Sequence, residues 1–174
     1  MILGFSTKFP KHKTLISDKP TFFVSRIVRG LANKTNISHW VLDNFLKLEY
    51  DSDPKELEKL HTIRKDSKNR WKAGRDIHFY INVRKTNQLQ FAPVVKCVST
   101  QDIWIKPFNK SVSVWQKDSL AADDSFKNGH WKKLTKEQIT TLAKNDGFHN
   151  QAEFWAYFDS EFAGKIIHWT NFIY

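Results

Sequence analysis

Cross-linking and catalytic signatures are scarce in this chain. It has one cysteine in 174 residues, so no internal disulfide can form, and the absence of a paired-cysteine framework fits a reducing compartment. Cys97 lies in an apolar run and reads as a small buried hydrophobe, not a reactive thiol. No segment approaches the roughly 18 consecutive apolar residues of a membrane span, and the N-terminus has no long apolar run before a small-residue cleavage site. Neither membrane insertion nor export is expected, and the chain reads as cytoplasmic. The seven histidines are scattered, with no His-Glu-x-x-His or paired-Cys spacing, so no metal is expected. Gly-x-Ser-x-Gly, phosphate-loop and dinucleotide signatures are also missing, so no cofactor is expected. Acidic residues are in deficit: 18 Asp and Glu against 28 Lys and Arg give a formal charge of +10. With a sequence pI near 9.7, an anionic partner is the first expectation.

What is present suffices for one domain over residues 1–174, because 40 % apolar and 14 % aromatic residues can close a core of that size. Residues 1–9 read as a first strand stopped by Pro10. A helix is expected from Pro20 and Thr21 to Arg29, with Phe23, Val24, Ile27, Val28 and Leu31 as its core stripe, Arg26 and Arg29 outward, and Gly30 near its end. Residues 32–58 read as a helical insertion. Trp40, Val41, Phe45, Leu46 and Leu48 have helical spacing, and the cap pattern Asp53-Pro54-Lys55-Glu56 predicts a short second helix ending near Lys59. Short strands then follow at 77–83, 89–99, 103–105 and 112–114, a spacing that favours a barrel or sandwich over a parallel sheet. Residues 116–133 read as a polar loop. Thr135 with Gln138, and Asn150 with Glu153, cap two C-terminal helices, with Gly147 ending the first. Residues 165–173 alternate as a last strand suited to closing a barrel.

The most informative stretch is KLHTIRKDSKNRWKAGRDIHFYINV at 59–83. Lys59, Thr62 and Arg64 precede a loop carrying Lys65, Lys68, Arg70, Trp71, Lys72 and Arg75, which turns at Gly74 into a strand where Ile77, Phe79, Ile81 and Val83 alternate with His78, Tyr80 and Asn82. At a helix end, Lys59 and Thr62 would point into one space. Arg64 has the donors to bind a phosphate or fork onto a base edge. Trp71, Tyr80 and Trp104 have the rings to stack a base, although core packing is the commoner fate of a tryptophan.

The order Lys-x-x-Thr-x-Arg, polar loop, Trp-x-x-Gly and strand, together with Ala143-Lys-Asn-Asp146-Gly147-Phe148, resembles the ASCH domain family of the PUA-like superfamily. The resemblance implies an α+β fold: a small mixed β-barrel with flanking helices, whose basic cleft, centred on Lys59, Thr62 and Arg64, binds RNA or a nucleoside, with DNA as an alternative. In the acetylcytidine amidohydrolases of that family, a Lys, a Thr and a Glu at matching positions form the catalytic set. Here these are Lys59, Thr62 and Asp146, the acid being shorter by one methylene. A desolvated lysine can activate the Thr hydroxyl or a water while the carboxylate serves the leaving amine. A shift of about 1.5 Å in the acid is of the size that costs on the order of a hundredfold in rate. Hydrolysis of an acylated cytidine is therefore the alternative to binding. A protein-interaction module using 32–58 is a third reading. The plainest has Lys59 as a solvated helix end, Thr62 as a strand residue and Asp146 as a turn residue. Oligomeric state is not legible.

Overall fold

The computed structural model describes residues 1–38, 41, 53, 55–117 and 129–174. Their order is β1 (Ile2–Phe5), α1 (Phe23–Lys34), β2 (His61–Arg64), β3 (Asp76–Ile81), β4 (Leu89–Gln90), β5 (Val95–Lys96), β6 (Ser99–Lys106), β7 (Ser111–Lys117), β8 (Gly129–Lys133), α2 (Lys136–Asn145), α3 (Gln151–Tyr157) and β9 (Phe162–His168). The fold is α+β. One sheet joins β1, β3 and β4, with β5 also on β3, and the other runs β2-β9-β6-β7-β8.

Period-two patterning builds the first sheet. Ile77, Phe79 and Ile81 of β3 are buried in turn while their neighbours are not. Strand β1 pairs with β3 in parallel, Leu3 opposite Phe79, a geometry that needs a long crossover. That crossover contains α1 and β2. The expected strand at 89–99 divides into β4 and β5, and Cys97 donates its N–H to Arg75 O (2.8 Å) while Val98 donates to His168 O (2.8 Å). At 97–98 the chain therefore passes from one sheet to the other. Pairing among the described residues follows two sheets meeting at this corner and closes no ring.

Two apolar cores result. One packs Val24, Ile27, Val28 and Leu31 of α1 against Leu3, Phe5, Phe79 and Trp169. The other sets Ile139 and Leu142 of α2 and Phe154 of α3 against Ile103, Ile105, Val112 and Ile166. Phe23 touches both.

Several expectations need correction. Helix α1 runs on to Lys34, because Gly30 is a contact point and not a cap: a Cβ there would lie 2.8 Å from Lys59 O. Arg26 is turned inward, 1 % exposed, because a buried carboxylate awaits it. The Asp53 pattern caps a turn rather than a helix. Its carboxylate accepts from Lys55 N (3.2 Å) and Leu57 N (3.0 Å), but Glu56 adopts φ 51° and 56–60 are not helical. The helix expected over 40–48 falls outside the described residues except for Val41. Residues 129–133 form β8 rather than loop, with Trp131 opposite Trp115. Both C-terminal caps are made: Thr135 and Gln138 exchange bonds, and Asn150 accepts from Glu153 N at 3.0 Å.

Candidate functional site

The site lies between the two cores, where α1, the segment leading into β2 and the end of α2 converge. Lys59 donates its N–H to Arg26 O (2.9 Å) and Leu60 donates to Asn145 O (2.8 Å), so both helices pin the backbone at this point. Close approach requires the missing side chain of Gly30. The Lys59 Nζ then donates to the Asp146 carboxylate at 2.6 Å and to the Asp146 carbonyl. Asp146 Oδ1 also accepts Ile63 N at 3.2 Å. Gly147 closes the turn with φ 86°, and a Cβ there would meet both Lys59 Cδ and the Phe23 ring at 3.1 Å. Phe23 lies under the ammonium, 4.5 Å from Nζ to the ring centroid, which adds a cation–π attraction.

Burial dominates the electrostatics of this pair. Lys59 is 1 % and Asp146 4 % exposed, and removing a charge from water favours its neutral form. Desolvation pulls the Lys59 pKa down to about 8 against the opposing pull of Asp146, with Arg64 and Arg26 adding repulsion. Desolvation also raises Asp146, with Lys59 opposing. Burial thus pushes each partner toward its neutral form.

Histidines complete the surroundings. His61 is fully buried, with Nε2 2.8 Å from the Tyr174 hydroxyl and Nδ1 3.8 Å from Asp146 Oδ1. Asn145 Nδ2 donates to the same hydroxyl at 3.0 Å, so Tyr174 links His61 to the end of α2. Desolvation, then His168 and Lys59, lowers the His61 pKa well below its usual range.

A second buried ion pair adjoins the first. Arg26 donates from Nε to Asp53 Oδ2 at 2.9 Å and from one terminal nitrogen to Gly147 O. Its other terminal nitrogen is 2.6 Å from His149 Nε2. Guanidinium only donates, so Nε2 accepts and Nδ1 carries the proton, which it gives to Glu153 Oε1 at 2.8 Å. Burial would raise Asp53, but the Arg26 bond and the Leu57 and Lys55 N–H groups outweigh it and hold the carboxyl at about 2.

The residues singled out in the sequence separate into groups. Lys59 and Asp146 meet. Thr62 is 3 % exposed and pairs in register with Ile167, a residue of the α1 core. Its neighbour Ile63 belongs to the other core, and strand alternation sends the two side chains to opposite faces. Among the described residues no hydrogen bond joins Thr62 to Lys59 or Asp146. Arg64 donates to Gly4 O at 2.7 Å and lies 5.0 Å over the Phe5 ring. Lys65, Lys68, Arg70, Lys72 and Arg75 are all exposed. Trp71 is 4 % exposed in the α1 core and anchors the loop that carries them. Tyr80 is half-buried on β3, and Trp104 is 36 % exposed on β6.

Sequence reasoning missed Asp66, which organises the basic loop by accepting Arg70 N and Trp71 N, both at 2.9 Å. It also missed Arg26, Asp53, His149, His61 and Tyr174. The one available signal for Asp66 was an acidic residue inside a cationic run, four residues before Arg70, the spacing of a side chain that caps a loop. Among the described residues no three His, Cys, Asp or Glu side chains group as a metal site, and no helix is long and apolar enough to cross a membrane. No family model, curated protein or solved structure matches this chain, so its site is read from its own residues and geometry.

Proposed function

We propose that this chain is an ASCH-like, PUA-like domain of the cytoplasm that binds single-stranded nucleic acid, RNA before DNA, through the basic loop at 65–75. One observation carries the reading: five exposed cations, Lys65, Lys68, Arg70, Lys72 and Arg75, ride on a loop fixed from within by Asp66 and by the buried Trp71. Cations on a fixed loop meet phosphates at a lower ordering cost than cations on a free tail. The interior supports binding without chemistry, since Lys59, Thr62 and Asp146 are each at most 4 % exposed and, among the described residues, no hydrogen bond joins Thr62 to the pair. In this reading Lys59 and Asp146 fix the floor from which Arg64 and the loop rise. Replacing Lys68, Arg70 and Lys72 together by Ala should weaken binding to labelled single-stranded RNAs of different sequence by a similar factor. Loss confined to one sequence, or no loss, would remove the loop from the interface.

Hydrolysis of an acylated cytidine is the second reading, and the Lys59 pKa of about 8 beside Asp146 favours it, because a partly neutral lysine at neutral pH can act as a base. Release of cytidine from acetylcytidine by the parent, Lys59→Ala, Thr62→Ala and Asp146→Glu proteins separates the readings. We expect none above background. Turnover in the parent that disappears in both Lys59→Ala and Thr62→Ala would establish the hydrolase instead.

A further inference from the structure

The five-stranded sheet has one face against α2 and α3. Among the described residues its other face is covered only in part: at the end of β9 near Ile167 the α1 core packs on it. Toward β7 and β8 that face is paved with tryptophan. Trp104 is 36 % and Trp131 46 % exposed, and Trp115 sits directly opposite Trp131 across the ladder. The inward residues of the same strands, Ile103, Ile105, Val112 and Val114, are at most 1 % exposed, so the aromatic face is the outer one by strict alternation.

We propose that Trp104, Trp115 and Trp131 form a platform on which the bases of a single-stranded nucleic acid stack, with Lys106 and Lys133 meeting its phosphates. The inference rests on the nucleic-acid reading above and names a second contact surface for it.

Ring geometry supports the platform. Trp131 lies 6.3 Å from Trp104 and 5.6 Å from Trp115, at interplanar angles of 64° and 74°, edge-to-face contacts that hold the three rings as one cluster. Two are held in place. Trp104 Nε1 donates to Glu161 Oε1 at 2.6 Å, and Trp115 rests on Gly129, where a Cβ would come within 2.8 Å of its ring. A ring held in position stacks a base with little further loss of freedom, and stacking tolerates any base because each has a π-face.

Charge selects the occupant. Lys106 Nζ sits 3.6 Å from the Trp104 ring centroid, and Lys133 is exposed in register with Ser113, itself opposite Trp104. Tryptophans alone would suit a neutral sugar polymer, but lysines among the rings on a chain of charge +10 favour a polyanion. The face also continues toward the basic loop: Trp104 is opposite Ala163 on β9, and two residues further along that strand Lys165 Nζ donates to Asn69 of the loop. One strand can therefore reach both surfaces.

The test is binding of a labelled oligouridine, and of a cello-oligosaccharide, to the parent, Trp131→Ala, Trp131→Phe, Trp104→Ala/Trp131→Ala and the Lys68/Arg70/Lys72→Ala loop variant. We expect Trp131→Ala to weaken oligouridine binding about tenfold and the double variant about a hundredfold, with Trp131→Phe recovering most of the loss. The salt dependence of the tryptophan variants should match that of the parent, since no phosphate contact is removed. Trp131 is surface-exposed, so the single variants decide the matter if the double variant fails to fold. Parent-like binding by Trp131→Ala, with loss only in the loop variant, would refute the platform and leave the loop reading standing. No oligouridine binding by the parent at low salt would sink both. Trp131-dependent binding of the oligosaccharide without oligouridine binding would assign the face to sugars and overturn the proposal.

Discussion

Two ion pairs, Arg26 with Asp53 and Lys59 with Asp146, lie side by side in the interior, and their carboxylates are left in opposite states. Asp53 accepts Arg26 and two backbone N–H groups and stays ionised, its pKa near 2. Arg26 in turn spends its donors on Asp53, Gly147 O and His149. Asp146 accepts from Lys59 and one backbone N–H, too few to offset desolvation, and its pKa rises while that of Lys59 falls. The balance between hydrogen-bond supply and desolvation separates a clamp from a pair pushed toward its neutral forms. Sites that carry chemistry tend to resemble the second kind, which is why Lys59 keeps the hydrolase reading alive although the pair is closed to solvent.

The largest expected effect breaks the clamp. Arg26→Met leaves Asp53 buried without its cation and should cost about 3–5 kcal/mol in urea unfolding. Lys59→Met should cost less, about 2–3 kcal/mol, because the Asp146 carboxyl is already pushed toward its protonated form, whereas Asp53 loses the bond that holds it ionised. The deficit of Lys59→Met should also shrink as pH falls from 7 toward the carboxylate range, whereas that of Arg26→Met should persist until Asp53 itself protonates. Equal losses with equal pH dependence would erase the distinction.

The pH dependence of the parent sharpens the same contrast. The pKa of Lys59 is about 8 when folded against 10.5 as the reference value, so between these values the unfolded chain binds more protons and stability rises with pH. Measured against Lys59→Met, that rise should approach about 3 kcal/mol. The Asp53 pKa runs from 3.8 to about 2, a stabilisation fully present above 3.8 and lost as pH falls through 2. A parent that loses stability from pH 8 to 10.5 relative to Lys59→Met would place the lysine's proton wrongly.

Smaller effects come from the glycines that frame the site. Gly30→Ala improves helix propensity by about 1 kcal/mol, yet its Cβ would lie 2.8 Å from Lys59 O, and the net change should be a loss of about 1–2 kcal/mol with a shifted Lys59. Gly74 has φ 81° but nothing within 4 Å of an added Cβ, so Gly74→Val should cost only backbone strain, on the order of 1 kcal/mol. Calorimetric melts of both variants would show whether packing at Gly30 outweighs strain at Gly74.

How much could be read in advance follows the range of the interactions. Both C-terminal caps and the β3 alternation are local patterns, and they were legible. The meeting of Lys59 with Asp146 came from the family resemblance, since 87 residues separate them. The inward turn of Arg26 was not legible: beside an apolar stripe a charged residue reads as solvent-facing, and its partner lies 27 residues on. Nor was β8, whose Trp131 makes sense as a strand residue only beside Trp115. Trp71 had the composition of a base-stacking residue, and its burial followed from the fold around Asp66.

Binding of labelled single-stranded RNA by the parent and by Lys68/Arg70/Lys72→Ala, followed across a salt series, tests the central claim most directly. Each phosphate neutralised on a single strand contributes a log–log slope of about −0.7, so engagement of the loop predicts a steep fall in affinity with salt that becomes shallower by about 2 in the triple variant. A flat salt response in the parent, or the same slope in both proteins, would contradict a nucleic-acid interface built on this loop.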